Sequence, residues 1–285
     1  TSYNNYNYRL GTDFFINDNH TIGFLYSGAV NNFSNRSNNY SEISQGLNNP
    51  IDSILIARNE ADGDNLRHTI NLNYAWTGKS GQSLNIDADY GAFNNDNAFF
   101  QPNLYYNPAQ TQILTSVITR YDTPVEIDIA TFKTDYEQKL LGGQLGLGFK
   151  LSNVQTDNTF DFYDIVNGVD EFNETRSNLF TYDENVYAAY VSYNRSITEK
   201  LKFSSGLRTE VTDATGNLIA YKEELQEPPV EQNYTNLFPN LGLTYQLSHM
   251  QTLSLNYGSR INRPDYNVLN PFRIQMSELS FSKGN

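Results

Sequence analysis

The stretch Leu66-Arg67-His68-Thr69-Ile70-Asn71-Leu72-Asn73-Tyr74-Ala75-Trp76-Thr77 decides the fold. Leu66, Ile70, Leu72, Tyr74 and Trp76 share one face with His68, and Arg67, Thr69, Asn71, Asn73, Ala75 and Thr77 share the other. A period of two belongs to an extended strand, whose side chains point alternately to opposite sides. After Gly78-Lys79-Ser80-Gly81 the alternation resumes, with Leu84, Ile86, Ala88, Tyr90 and Ala92 opposite Ser83, Asn85, Asp87, Asp89 and Gly91. Two alternating runs joined by a glycine-bearing turn predict a β-hairpin.

Outward from this hairpin the same unit recurs, five times in all. Tyr6 to Ile16 turns at Asp18-Asn19 into Thr21 to Val30, and Ala130 to Leu140 turns at Gly142-Gly143 into Gln144 to Ser152. Val186 to Asn194 turns near Thr198-Glu199 into Leu201 to Glu210, and Leu241 to Leu247 turns at Ser248-His249 into Thr252 to Arg260. The turns centre near residues 18, 80, 142, 199 and 250, a repeat of architecture at intervals of 51 to 62 residues. Ten strands are predicted, with one or two more in the links or past Arg260. The links at 31–65, 94–129, 155–183 and 211–236 are rich in Asn, Asp, Ser, Gly and Pro, which predicts long loops.

Charge is sorted by face. One face of these strands carries Arg9, Asp13, Arg67, Asp87, Asp89, Lys133, Asp135, Glu137, Lys139, Lys150, Lys202, Arg208, Glu210 and Arg260. The other shows Tyr6, Tyr8, Leu10, Phe14, Ile22, Phe24, Tyr26, Leu145, Leu147, Phe149, Leu201, Phe203, Leu207, Leu243, Tyr245, Leu253, Leu255 and Tyr257. A soluble sandwich also alternates, its apolar face meeting a second sheet. Three features favour a barrel in a membrane instead. Runs of 9 to 12 residues match the roughly 9–11 needed to cross a bilayer at a tilt. Short turns at one end and long links at the other are the organisation of an outer-membrane barrel. Aromatic residues gather toward strand ends, with Phe14, Trp76, Tyr136, Tyr193 and Tyr245 near the short turns and Tyr90, Phe93 and Tyr257 near the links.

Composition bounds the rest. The 285 residues carry 19 Lys and Arg against 32 Asp and Glu, a net charge of −13, which argues against binding nucleic acid. There is no Cys, so disulfides, thiolate metal sites and thiol nucleophiles are excluded, and His20, His68 and His249 lie in no ligand spacing. No stretch approaches the ~20 apolar residues of a membrane helix. Hydropathy alone would read as a soluble protein, and the 21 Tyr and 17 Phe contradict it. The charged strand face holds eight basic and six acidic residues, so the excess acid lies in the links, as in Asp157, Asp161, Asp164, Asp170, Glu171 and Glu174, or Glu223, Glu224, Glu227 and Glu231. The expected barrel has a wet lumen of mixed sign and an acidic mouth.

The last third points to a family. Tyr234-Thr235-Asn236-Leu237-Phe238-Pro239-Asn240-Leu241 precedes a hairpin, followed by Ser259-Arg260-Ile261-Asn262-Arg263-Pro264, Leu269-Asn270-Pro271-Phe272 and Ser282-Lys283-Gly284-Asn285. With Gly206-Leu207-Arg208-Thr209-Glu210 upstream, this series resembles the carboxy-proximal barrel of TonB-dependent outer-membrane receptors, especially the Gram-negative group with a carboxypeptidase-like leading domain. The match is good from about Tyr187 onward and architectural before it. The resemblance implies an active transporter in the cell outer membrane. A plug domain of the same parent chain would fill the barrel, an inner-membrane TonB-type complex would energise it through that plug, and nothing would be catalysed. It implies no cofactor and leaves the substrate-binding residues unknown. Residues 1–285 are then one partial barrel domain without a plug, a piece of something longer. Two alternatives stand beside it, a passive or structural outer-membrane barrel and a soluble all-β binding module.

Individual motifs have plainer readings. Asp87/Asp89 and Asp135/Glu137 point into the lumen in pairs, where neighbouring-strand Arg or Lys, or the plug, are the expected partners. Asp62-Gly63-Asp64-Asn65 and Asn94-Asn95-Asp96-Asn97 resemble pieces of calcium loops but lack the ligand spacing that ends in Glu, and loop composition explains them. Arg260 and Arg263 flank a strand end that Pro264 closes, which reads as a structural corner.

Overall fold

A computed structural model describes residues 1–46 and 49–261, and the backbone alone of 273–277 and 280–283. The strands are β1 (Ser2–Asn17), β2 (His20–Ile43), β3 (Ser53–Thr77), β4 (Ser83–Tyr106), β5 (Ile113–Asp122), β6 (Val125–Leu140), β7 (Gly143–Val166), β8 (Val169–Phe172), β9 (Asn178–Ser196), β10 (Leu201–Ala220), β11 (Val230–Ser248) and β12 (Gln251–Gly258). These twelve form one antiparallel sheet, and β13 (Arg273–Ser277) pairs with β14 (Ser280–Lys283) separately. The segments at 262–272 and Gly284-Asn285, including Arg263-Pro264 and Leu269-Asn270-Pro271-Phe272, lie outside the described residues.

The sheet is an up-and-down meander. All five predicted turns are present, joining β1–β2, β3–β4, β6–β7, β9–β10 and β11–β12. The β6–β7 turn falls on Leu141 and Gly142, both at positive φ (48° and 76°), a two-residue connection that suits glycine at its second position. β5 and β6 are one strand in two pieces. Ala98 pairs with Asp122 and Asn95 with Val125 in unbroken register against β4, and Asp122 with Asp161 and Val125 with Asn158 against β7. The break falls at Pro124, which has no N–H to give but accepts from the Thr159 N–H at 3.0 Å. Counting β5 and β6 once, the path from β1 to β12 has ten strands, as the alternation predicts, with β8 a short branch off β7.

The links are where expectation and structure part. Most of each is strand rather than loop. Asn31 to Ile43 pairs residue by residue with Ser53 to Asn65, so β3 reaches 25 residues and β2 24. At about 3.3 Å per residue, β3 runs about 80 Å, far beyond the ~30 Å hydrocarbon layer. The calcium-like stretches at 62–65 and 94–97 likewise lie within β3 and β4. Their Asn and Asp content mimics a loop because the strands continue above the lipid, where their outward side chains meet water.

Register carries the face assignment across the whole sheet. Leu10 opposes Tyr26, Tyr26 opposes Ile70, Ile70 opposes Tyr90, Leu147 opposes Val191, Val191 opposes Leu207, and Leu243 opposes Leu255. The strand charges named above alternate onto the opposite face, except Arg260, which lies beyond the end of β12 at Gly258. Buried strand residues other than Gly28, Ile54 and Pro102 all stand on that charged face, including Ala61, Tyr121, Phe162, Phe180, Glu210 and Thr212. Side chains crowd one another on the inside of a curved sheet, so the charged face is the concave one. The outward face remains bare, with Leu10, Phe14, Leu253 and Leu255 each more than 60 % exposed.

The outward apolar band has a sharp upper edge. In-register rungs Asn4–Asn32–Asp64 and Asn153–Asn185–Asp213–Asn233 replace its leucines and tyrosines. Asn32 donates to Asp64 at 2.6 Å and Asn153 to Asn185 at 3.0 Å, closing a polar girdle. Aromatic residues edge the band on both sides. Near the short turns His20 bonds the Tyr74 hydroxyl at 2.7 Å beside Trp76, and below the girdle Tyr8 and Tyr26 meet His68 Nδ1 at 2.9 and 2.8 Å. Phe93 is a correction. It opposes Arg67 on the concave face and belongs to no lipid-facing belt.

Candidate functional site

The concave face has two tiers. The lower one, level with the lipid band, is a wall of mixed charge in which two ion pairs and several neutral hydrogen bonds are formed. Lys133 Nζ lies 2.5 Å from Asp135, whose other oxygen accepts from the Tyr190 hydroxyl at 2.5 Å. Arg208 pairs with Glu210 at 2.5 Å and sits 5.1 Å above the Tyr190 ring. Asp89 accepts from Asn71 at 2.7 Å and Thr131 at 3.1 Å, and Glu137 from Gln144 at 3.1 Å. The expectation of Arg or Lys partners from neighbouring strands therefore needs correcting. The ion pairs join residues two apart on one strand, and the cross-strand links are made by Tyr, Asn, Thr and Gln. Residues two apart share a face and stand about 7 Å apart, within reach of a long side chain.

The upper tier inverts the chemistry. Above the girdle the outward face turns polar and the concave face turns aromatic. Phe99 stacks on Tyr121 with ring centres 4.5 Å apart, and Phe160 and Phe162 extend the cluster at 5.3 and 6.0 Å from Tyr121. Phe180, Tyr182, Ala214 and Leu218 form a second cluster on β9 and β10. Burial pushes the Tyr121 hydroxyl up to about 12. The Arg176 guanidinium lies 3.6 Å over the Phe162 ring and 3.8 Å from Asp164, and burial lowers its pKa.

The outward surface above the girdle is held by ion pairs. Arg36 reaches Glu60 at 3.0 Å and Asp62 at 2.9 Å, and its hydrogen bonds hold the Asp62 carboxyl below the usual carboxylate range. Arg120 pairs with Asp122 at 2.5 Å and Asp170 at 2.9 Å and lies 4.3 Å over the Tyr163 ring. Asp161 is raised by burial and by the nearby Asp122. Several carboxylates of the acidic mouth are thus already engaged. Among the described residues no group of His, Asp and Glu is gathered closely enough to hold a metal ion. Sequence reasoning missed the aromatic tier, although Phe160, Phe162, Phe180 and Tyr182 carry its signal, alternation at period two inside a stretch whose composition reads as loop.

The outer membrane protein beta-barrel family matches residues 77–285, most of the chain. The chain belongs to that family. As an outer-membrane β-barrel protein it resides in the cell outer membrane, with the leucine-and-tyrosine face toward lipid and the charged face toward the lumen. Among solved structures, that of the unliganded ferric citrate transporter FecA is similar, with a TM-score of 0.46 and 10% identity over 89% of this chain and 41% of that one. The siderophore receptor PiuA from Acinetobacter baumannii gives 0.39 and 11% over 88% and 48%. The ferric yersiniabactin uptake receptor FyuA from Yersinia pestis gives 0.33 and 11% over 81% and 42%. The chain thus spans less than half the length of each. No curated protein matches it.

Proposed function

We propose that this outer-membrane barrel is the carboxy-proximal barrel segment of a TonB-dependent receptor that imports a nutrient. The observation that carries this reading is the ordered series on β10 to β12 and beyond: Gly206-Leu207-Arg208-Thr209-Glu210, Tyr234 to Leu241, Ser259 to Pro264, Leu269 to Phe272 and Ser282 to Asn285. The concave face supports it. Its lower tier is polar and mixed in sign, with Lys133–Asp135 and Arg208–Glu210 paired, which suits a surface that faces water or a plug and not lipid. β1 and β12 form the two edges of the main sheet and, among the described residues, do not pair with each other. Hydrocarbon does not tolerate an edge of unpaired backbone groups, so further strands of the parent chain complete the cylinder there. The barrel's part is to span the membrane, hold the plug and shape the mouth, and it catalyses no reaction.

Uptake by cells carrying the full-length protein tests this reading. Deleting the inner-membrane energiser is expected to abolish accumulation of the substrate while leaving the folded barrel in the membrane. Accumulation that persists without the energiser would point to passive diffusion instead.

A further inference from the structure

At the level of the girdle, the concave face of β1 to β4 holds a recess of about 770 Å³ whose lining differs from the rest of the lumen. Asn5, Asn31, Asn65 and Asn95 stand opposite one another in register, a ladder of four asparagines across four adjacent strands. With strands about 4.8 Å apart, the ladder is about 14 Å long. On the rung above, Phe33 and Asn97 flank Gly63, where a Cβ would fall 2.2 Å from the Phe33 ring and 2.4 Å from the Asn97 amide oxygen. The absent side chain lets both groups lie down over the backbone and form a floor. Phe93 and Arg67 stand on the rung below, and Arg67 is the recess's only charged residue.

What the recess gathers is a row of amides with almost no partners among the described residues. Some asparagines elsewhere on the sheet bond to each other or to carboxylates, as in Asn73–Asn71, Asn71–Asp89 and Asn153–Asn185. On the outward side of these same two strands Asn32 bonds Asp64 at 2.6 Å. In the recess, by contrast, Asn31 accepts only a long bond from the Tyr3 hydroxyl at 3.4 Å. The side chains of Asn5, Asn65, Asn95 and Asn97 make no hydrogen bond among the described residues. Each idle amide offers two donor hydrogens and a carbonyl acceptor.

We infer that this recess binds a hydroxyl-rich saccharide, the substrate class of the importer proposed above and dependent on that reading. A row of amides presents donors and acceptors side by side, which is what neighbouring hydroxyl groups require, since each hydroxyl both donates and accepts. The Phe33 and Phe93 rings give the apolar faces of a sugar ring something to cover. Arg67 adds only donors, for a ring or hydroxyl oxygen. An anionic iron chelate needs several cations and finds one. A peptide needs charges for its termini and finds no carboxylate in the lining.

The test is an array of neutral oligosaccharides probed with the full-length protein in detergent, followed by titration calorimetry of any hit. The same protein is titrated in parallel with ferric citrate and with an alanine hexapeptide. At least one oligosaccharide is expected to bind. Asn31→Ala with Asn65→Ala is expected to weaken it at least tenfold, and Asn32→Ala on the outward side to leave it unchanged, both variants remaining heat-modifiable folded barrels. Absence of any saccharide binding overturns the proposal. So does saccharide binding indifferent to the Asn31/Asn65 pair, or a loss on that substitution of ferric citrate or peptide binding instead. Energiser-independent uptake would sink the importer reading whichever ligand binds, so the two failures are separable.

Discussion

The Tyr190 hydroxyl donates to Asp135 at 2.5 Å from two strands away, its ring lying flat across the backbone of Gly148 on the strand between. Asp135, Gly148 and Tyr190 share one rung, and the missing side chain at its centre is what lets the outer two meet. A Cβ on Gly148 would fall 2.0 Å from the Tyr190 ring, so the contact exists only because that position is glycine.

Gly148→Val is therefore expected to destabilise the folded full-length barrel by about 1–3 kcal/mol through overpacking. In a Tyr190→Ala background the valine meets no ring, and its cost should largely vanish. A double-mutant cycle by chemical denaturation in detergent checks this. Equal costs of Gly148→Val in both backgrounds would mean that Tyr190 does not cover the glycine.

Leu255 opposes Leu243 on the outward face, while its neighbour Asn256 opposes Gly242 on the concave face. In the full-length protein Leu255→Arg is expected to cost about 2–4 kcal/mol near the membrane midplane, and Asn256→Arg to be tolerated. Refolding into liposomes across a denaturant series measures both. Similar effects at the two positions would reverse or abolish the face assignment.

Phe162 is 1 % exposed and packs between the Tyr121 ring and the Arg176 guanidinium. Phe162→Ala is expected to loosen the upper tier by about 3 kcal/mol. Hydrogen exchange should quicken in the upper parts of β5, β7 and β9 and stay unchanged near the short turns. Uniform quickening would mean that the tiers do not behave as separate units.

The Arg36–Asp62 pair ties β2 to β3 above the girdle. Asp62 has its pKa lowered in the fold from 3.8 by its hydrogen bonds to Arg36 and Ser34. A depressed carboxylate contributes stability that is present above its unfolded value and lost as pH falls through the folded one. Acidification below pH 3.8 should therefore speed exchange of the amides at 35–43 and 53–62, and Asp62→Asn should abolish that pH dependence. An unchanged pH profile in Asp62→Asn would show that another group controls the segment.

Tyr121, with its hydroxyl pushed up to about 12 by burial, works in the opposite direction. Its contribution is fully present below the ordinary 10.0 and is lost as pH rises toward that raised value. Alkaline titration followed by near-ultraviolet absorbance should show a late-ionising fraction that shrinks by one tyrosine in Tyr121→Phe. A titration curve unchanged by the substitution would contradict its burial.

The alternation in Leu66 to Thr77 and its four counterparts was enough to read the hairpins, the ten-strand path and the two faces. A strand's period of two is a local property of the backbone, visible in any run of a dozen residues. The family resemblance was legible for a related reason, since its motifs are contiguous. The links were misread because Asn, Asp and Ser serve equally a loop and a strand whose outward face has risen out of lipid. Only pairing separates the two, and pairing joins residues far apart in the chain, as Ser41 to Leu55 or Asp122 to Asp161.

The tertiary structure alone decided which groups meet across strands. Register placed four asparagines side by side on the concave face and bonded a fifth, Asn32, to Asp64 on the outward one. Register and curvature packed the Phe99 and Tyr121 rings against each other in the lumen. Chain order cannot supply either result, because both depend on how many rungs separate a side chain from its turn and on how its neighbours bend the sheet.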